Sequence, residues 1–147
     1  MSLPRLFVIG AAAFLPAFAA CAQAPAMSPD QRAALDAAER WLVPVDAGRY
    51  ADAYAMAADD FRKDVTREQW LAGIGGIRRE FGKLDKRTAE KMGFLGEPPK
   101  PDAPLAPGAK VVILFQGKFA RKPQVEEEMT MVYEKDGIWR MASYYIR

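Results

Sequence analysis

Residues 111–146 read VVILFQGKFARKPQVEEEMTMVYEKDGIWRMASYYI, and this stretch decides the fold. Apolar and polar side chains alternate along it, which is typical of strands in a half-buried antiparallel sheet. Arg121-Lys122-Pro123 separates the first two predicted strands, and Lys135-Asp136-Gly137 separates the last two. An Asp-Gly pair is a strong hairpin signal because glycine tolerates the positive φ of the turn. We therefore predict a three-stranded meander.

The alternation assigns the inner face of the first two strands. Val111, Ile113, Phe115 and Phe119 share one face of the first strand, and Val125, Met129, Met131 and Tyr133 share one face of the second. In the last strand Trp139, Met141 and Tyr145 oppose Ile138, Arg140, Tyr144 and Ile146, so both faces carry aromatic rings. The inner face of that strand is left open.

The residues before the meander predict three helices and one more strand. Ser28 with Gln31 and Thr66 with Gln69 are capping boxes, which begin helices. Apolar stripes follow both boxes, and a second, short helix is predicted over Tyr50–Ala58. Pro44 should kink or stop the first helix. The third helix should end at Gly82, with a strand over Lys83–Leu95 after it.

Three glycines, Gly73, Gly75 and Gly76, lie inside the third predicted helix and each costs about 1 kcal/mol relative to alanine. Close packing against another backbone would explain them. The order of elements predicts an α+β domain, with three helices on one face of a curved, mostly antiparallel four-stranded sheet. Residues 96–108, which contain five prolines, form a stiff connection.

The first residues have the pattern of a secretory signal peptide. The short segment Met1–Arg5 carries one positively charged side chain. The apolar segment Leu6–Ala20 follows it, and small residues come next. We assign residues 1–24 to the signal peptide and residues 25–147 to a single domain. The protein is then expected in the periplasm or secreted. Phe18-Ala19-Ala20-Cys21 is similar to a bacterial lipobox, so a membrane-anchored lipoprotein acylated on Cys21 is the alternative.

The composition excludes several kinds of site. The 147 residues contain no histidine and one cysteine, which removes the Ser-His-Asp triad, structural zinc and an intrachain disulfide. No catalytic motif is recognisable, so we expect no metal and no cofactor. A net charge of +2 without a basic stripe argues against nucleic acid. Contact with a membrane is expected only through the signal peptide or a lipid on Cys21.

Three segments carry a resemblance to a known family: residues 41–50, residues 70–87, and Asp136-Gly137-Ile138-Trp139-Arg140. Together they resemble the bacterial exported family called domain of unknown function 4019. The resemblance implies a cystatin-like or nuclear-transport-factor-two-like cone. It implies no activity. Enzymes similar to ketosteroid isomerase carry an aspartate base and a tyrosine acid in such a cone, which makes Asp46, Asp60, Tyr50, Tyr54 and Glu127 candidates.

Each candidate also has a structural interpretation. Asp46 can cap a turn, Asp60 can end a helix at the surface, and the two tyrosines can be core residues with solvated hydroxyls. Glu127 shares its phase with Met129 and Met131, so alternation directs it inward. A carboxylate there must lie at the rim of the sheet, be paired, or have a shifted pKa.

The functional prediction is a non-catalytic exported module that binds a small apolar ligand or a protein partner. The alternative is a small carboxylate-dependent enzyme with its site in the cone. The residues predicted to line the cavity, or to fill it as a dense aromatic core, lie on the apolar faces of their elements. They are Trp41, Tyr54, Trp70, Phe115, Glu127, Met131 and Tyr133.

We predict that the mature chain begins between Ala20 and Ala26, because the small residues that follow Leu6–Ala20 fit a cleavage site. Intact-mass analysis of the protein from its native envelope measures this directly. Added acyl mass on Cys21 would establish the lipoprotein alternative. Retention of Met1–Arg5 would contradict export.

Overall fold

The computed structural model describes residues 26–147, so the predicted signal peptide and Cys21 lie outside the described residues. Four helices precede four strands. The helices are α1 (Pro29–Asp46), α2 (Tyr50–Ala55), α3 (Asp59–Asp64) and α4 (Arg67–Phe81), and the strands are β1 (Leu84–Phe94), β2 (Lys110–Phe119), β3 (Val125–Tyr133) and β4 (Trp139–Ile146). The strands pair antiparallel in the order β1-β2-β3-β4. This confirms the α+β class, while the cystatin-like or nuclear-transport-factor-two-like grouping stays a prediction.

Both predicted capping boxes begin helices. At α1 the Ser28 hydroxyl accepts from the Gln31 N–H while the Gln31 side chain accepts from the Ser28 N–H. Thr66 and Gln69 make the same pair of bonds at α4. These bonds satisfy amide donors that have no partner inside the helix.

The number and bounds of the helices differ from those expected. Pro44 does not stop α1, which continues to Asp46, and a kink at Pro44 stays a prediction. The missing N–H falls close to the end of the helix, and Pro44 is buried in the core. The helix predicted over Tyr50–Ala58 ends at Ala55, and Asp59–Asp64 forms the separate helix α3, which makes four helices instead of three. α3 has no side-chain cap and no fully buried residue, so it lacks the patterns by which helices are recognised.

The helices pack on the sheet through one large core and the two buried indoles. The Trp41 Nε1 donates to the Ala53 carbonyl, and the Trp70 Nε1 donates to the Tyr50 carbonyl, both at 2.8 Å. The two rings lie 5.6 Å apart. Since both indoles bond to the backbone around α2, they hold α1 and α4 to that short helix.

The inner face of β4 changes part-way along the strand. Trp139 and Met141 are buried, and a β-bulge follows between Met141 and Ser143. Tyr144 then packs against Trp41 in the core, whereas Tyr145 is 59% exposed. An extra residue shifts the alternation by one. The phase that grouped Tyr145 with Trp139 and Met141 was therefore wrong.

Close packing does not explain all the glycines of α4. A Cβ built on Gly73 or Gly76 meets no atom within 4 Å, and one on Gly75 meets the Tyr50 ring at 3.8 Å, an ordinary contact. The expected close approach to another backbone was therefore wrong. Gly73 and Gly76 leave open space beside the helix.

Replacing Trp139 with alanine should lower the free energy of unfolding by roughly 3–5 kcal/mol, as removal of a buried aromatic ring does. Trp139 is 8% exposed and lies 5.4 Å from the Tyr133 ring. Denaturant unfolding measures the change. The matched control is Ile138→Ala, because Ile138 is 50% exposed and surface changes stay within about 0.5 kcal/mol. Equal losses for the two variants would contradict this placement of Trp139.

Candidate functional site

Glu127 lies on the inner face of β3 and is completely buried. The sequence alternation directs it inward, between Val125 and Met129, which are also buried. A carboxylate in this position requires compensating partners, because an unpaired buried charge is very unfavourable.

Arg87 of β1 supplies two of those partners. Its Nε donates to Glu127 Oε2 at 2.5 Å, and its Nη2 donates to Glu127 Oε1 at 2.9 Å. The same guanidinium donates to both carboxylate oxygens of Asp46, at the end of α1, at 2.6 and 3.0 Å. Arg87 thus joins two carboxylates in the planar fork geometry that arginine favours.

Arg78 of α4 completes the arrangement. Its Nη2 donates to Asp46 Oδ1 at 2.8 Å and lies 3.8 Å from Glu127 Oε1. Its guanidinium carbon lies 4.8 Å from the centre of the Phe119 ring, a cation–π contact. We call Asp46, Arg78, Arg87 and Glu127 the ionic cluster. Two positive and two negative groups cancel, so the cluster adds no net charge to the core.

Tyr144 of β4 donates its hydroxyl hydrogen to Glu127 Oε1. Burial raises the pKa of this phenol, and the negative charge of Glu127 raises it further. Burial opposes the charge on Arg87, but its hydrogen bonds to Asp46 and Glu127 raise the pKa of the guanidinium above its ordinary value. Tyr144 therefore stays protonated and Arg87 stays charged at neutral pH.

The ionic cluster has little chemistry left to offer. Both oxygens of Glu127 accept hydrogen bonds, and no part of the side chain reaches solvent. Both oxygens of Asp46 accept from arginines. A general base must come within hydrogen-bonding distance of the proton that it removes. In this arrangement the two carboxylates instead hold the elements of the fold together.

A groove lies between α4 and the outer edge of β4, with a volume of about 550 Å³. Its apolar part comes from one face of α4, from α3 and the α3–α4 connection, and from the end of β4. The lining residues are Phe61, Asp64, Val65, Gln69, Trp70, Gly73, Ile74, Ile77 and residues 142–147.

Gly73 keeps the helix wall of this groove low. Any larger residue at this position would extend into the groove, because the space beyond the Gly73 Cα holds no atom within 4 Å of a Cβ. Glycine in a helix interior costs about 1 kcal/mol relative to alanine. Gly73 thus keeps the groove open, although a glycine at this position destabilises the helix.

The structure brings most of the predicted cavity residues into one interior. Trp41, Trp70, Phe115 and Met131 are members of the main buried cluster, and Tyr54 and Tyr133 are partly buried against it. Their predicted role in lining a binding cavity stays a prediction. Trp70 is the member of this set that also lines the groove.

The other candidates are dispersed. The Tyr54 hydroxyl donates to the Val65 carbonyl at 2.8 Å, and Tyr50 packs partly buried against the core. Asp60 lies in the first turn of α3, where it pairs with Lys63 at the surface. Asp46 does not cap a turn with its side chain but belongs to the ionic cluster.

Sequence reasoning missed the partners of Glu127. Arg78 follows Ile74 by four residues, so its place on the buried stripe of α4 was a usable signal. Arg87 carries no such signal, because register shifts interrupt β1 on both sides of it. Tyr144 was missed because of the bulge in β4.

No group of three or more carboxylates in residues 26–147 is arranged to hold a metal ion. None of the helices formed by these residues is both long enough and apolar enough to cross a membrane.

A family model described as protein of unknown function (DUF4019) matches residues 37–144. The chain belongs to this family. The match confirms the resemblance drawn from the sequence and includes every member of the ionic cluster. A solved structure of a protein from Catenulispora acidiphila is similar, with a TM-score of 0.48 and 12% identity over 79% of this chain and 88% of that chain. None of the curated proteins compared with the chain matches it.

Substituting Glu127 with glutamine in this DUF4019 domain should lower the free energy of unfolding by about 3–5 kcal/mol, because it leaves Arg78 and Arg87 to share Asp46 as their one counter-charge. Thermal or urea unfolding measures the loss. Glu128→Gln is the matched control: Glu128 lies on the opposite face and pairs with exposed Arg147 at 3.4 Å, so about 1 kcal/mol or less is expected. Similar losses for the two variants would contradict a structural role for the cluster.

Proposed function

We propose that this domain is a non-catalytic binding module whose groove between α4 and β4 receives an apolar group of its ligand. The observation that carries the proposal is the open groove of about 550 Å³ beside Gly73. Its size falls within the range of roughly 300–1,000 Å³ common to ligand pockets. Its walls are largely apolar, and Gln69, Asp64 and Ser143 are among the polar residues that line it.

The packing of the interior favours a ligand site at this groove over a ligand site inside the fold. Phe115 and Met131 are 2% and 0% exposed. Neighbouring side chains therefore already fill the interior around them, where a ligand inside the fold would have to bind. The groove, in contrast, is open space beside Trp70 and Ile74, which line it although they are themselves only 7% and 3% exposed.

The carboxylate-dependent enzyme has less support. The carboxylates of Glu127, which is buried, and Asp46, whose side chain is 25% exposed, are both engaged by arginines, and Glu127 also accepts from Tyr144. A substrate would have to break those contacts before either carboxylate could accept a proton.

Export is part of the proposal. The apolar segment Leu6–Ala20 and the small residues after it support a periplasmic or secreted module. A lipid on Cys21 would place the same module at the membrane surface.

Gly73→Leu should weaken binding of an uncharged apolar fluorophore such as Nile red, because the added side chain extends into the groove. We expect the dissociation constant to rise by more than about tenfold, equivalent to about 1.4 kcal/mol. Stability should not fall, since leucine is the better helix former by about 1 kcal/mol. Fluorescence titration measures binding, and denaturant unfolding checks the fold.

Gly76→Leu is the matched control, since Gly76 also faces open space but does not line the groove. It should bind the fluorophore as the wild type does. Absence of binding to the wild type, or equal binding to Gly73→Leu, would contradict the proposed function.

A further inference from the structure

The outer edge of β4 presents free backbone groups to the groove. Arg147 and Glu126 exchange both backbone hydrogen bonds, at 2.9 and 3.0 Å. In an antiparallel ladder the bonded pairs alternate with pairs whose N–H and C=O groups point away. Tyr144, opposite Met129, and Ile146, opposite Glu127, therefore direct their N–H and C=O groups away from β3.

The chain itself covers this edge further along. The outward carbonyl of Met141 accepts from the Ala58 N–H at 2.8 Å, so the connection before α3 covers the edge of the strand at Met141. Among residues 26–147, no backbone hydrogen bond occupies the outward groups of Tyr144 and Ile146. An exposed strand edge of this kind is a template for pairing with another strand.

The charge at the groove indicates which peptides would fit. Two residues that carry a charge at neutral pH line it, Asp64 and Arg147. Arg147 is already paired with Glu126 at 2.5 Å, whereas Asp64 makes no ion pair with any residue in the described part of the chain. The unpaired charge at the groove is thus negative and complements a lysine or arginine.

We propose that the ligand of the groove is an extended peptide that adds to β4 as a fifth strand, with an apolar side chain over Trp70 and Gly73 and a basic side chain beside Asp64. This inference rests on the proposed function and specifies its ligand. Strand addition takes affinity from main-chain hydrogen bonds and specificity from pockets for alternate side chains. The edge of β4 supplies the first, and the groove supplies the second.

The test begins with a phage-displayed library of random dodecapeptides, selected on the wild-type domain and counter-selected on Gly73→Leu. We expect the enriched peptides to combine apolar residues with lysine or arginine. Asp64→Asn should weaken their binding by roughly twofold to fivefold, as loss of an exposed ion pair does. Asp60→Asn is the control, since Asp60 lies on α3 away from the groove.

The backbone contact is tested with two N-methylated forms of the best selected peptide, each methylated at alternate residues. Alternate residues of a strand direct their N–H groups to opposite sides, so one form should lose more than about tenfold in affinity and the other should lose little. Hydrogen exchange of the complex should show new protection at the Tyr144 and Ile146 amides. The Tyr145 amide, which already faces Glu128 of β3, should not change.

Several results would overturn the inference. They are a selection that enriches no peptide, equal loss of affinity for the two methylated forms, or a bound peptide that leaves the Tyr144 and Ile146 amides unprotected. Self-association of the wild type that Gly73→Leu abolishes would assign the edge to a second copy of the chain instead. If Nile red binds but no peptide is enriched, the peptide inference fails and the proposed function stands. If neither binds, both fail.

Discussion

The contact of Glu127 with Arg87, and through it with Asp46 and Arg78, is the interaction on which the rest of the structure depends. Its members come from β3, β1, α1 and α4, so one neutral cluster joins the helices to the sheet. Buried ion pairs gain little over apolar residues of the same size, but removing one partner is costly. The cluster therefore acts mainly by favouring one arrangement of helices and strands over others. Its net contribution to the free energy of unfolding is small.

The cluster also requires space within the sheet. A Cβ on Gly117 would lie 2.8 Å from the Phe119 ring and 3.2 Å from Glu127 Oε2, so the glycine admits the carboxylate. The guanidinium of Arg78, on the same helix as Gly73, lies over Phe119. These contacts hold α4 at one position relative to the sheet. The groove at the edge of β4 follows from that position, although no member of the cluster lines it.

Much of the architecture could be predicted from local patterns, because each pattern has a local cause. Alternation identified the inner faces of β2 and β3, and the capping boxes located the starts of α1 and α4. Alternation also directed Glu127 inward. The helix α3 could not be recognised, because it has neither a side-chain cap nor a buried stripe. The bulge in β4 inverted the phase of its last residues.

The candidate site was less predictable, because it depends on residues that are distant in the sequence. Arg87 and Glu127 are 40 residues apart, and nothing local to either identifies the other. The groove lies where the end of β4 meets α4. Gly73 lines its helix wall, but from the sequence this glycine was expected to pack closely against another backbone. Spacing along the chain predicts elements, whereas these two features are set by how the elements are assembled.

The central claim, that the members of the ionic cluster stabilise the fold together, is tested most directly by a double-mutant cycle of Arg87→Met and Glu127→Leu, read as the free energy of unfolding. Each single change leaves the cluster with a net charge, negative for Arg87→Met and positive for Glu127→Leu, whereas the double change keeps Asp46 and Arg78 as a neutral pair. The account predicts that the double variant loses less stability than the two single losses combined, by about 1–3 kcal/mol. Additive losses would contradict it.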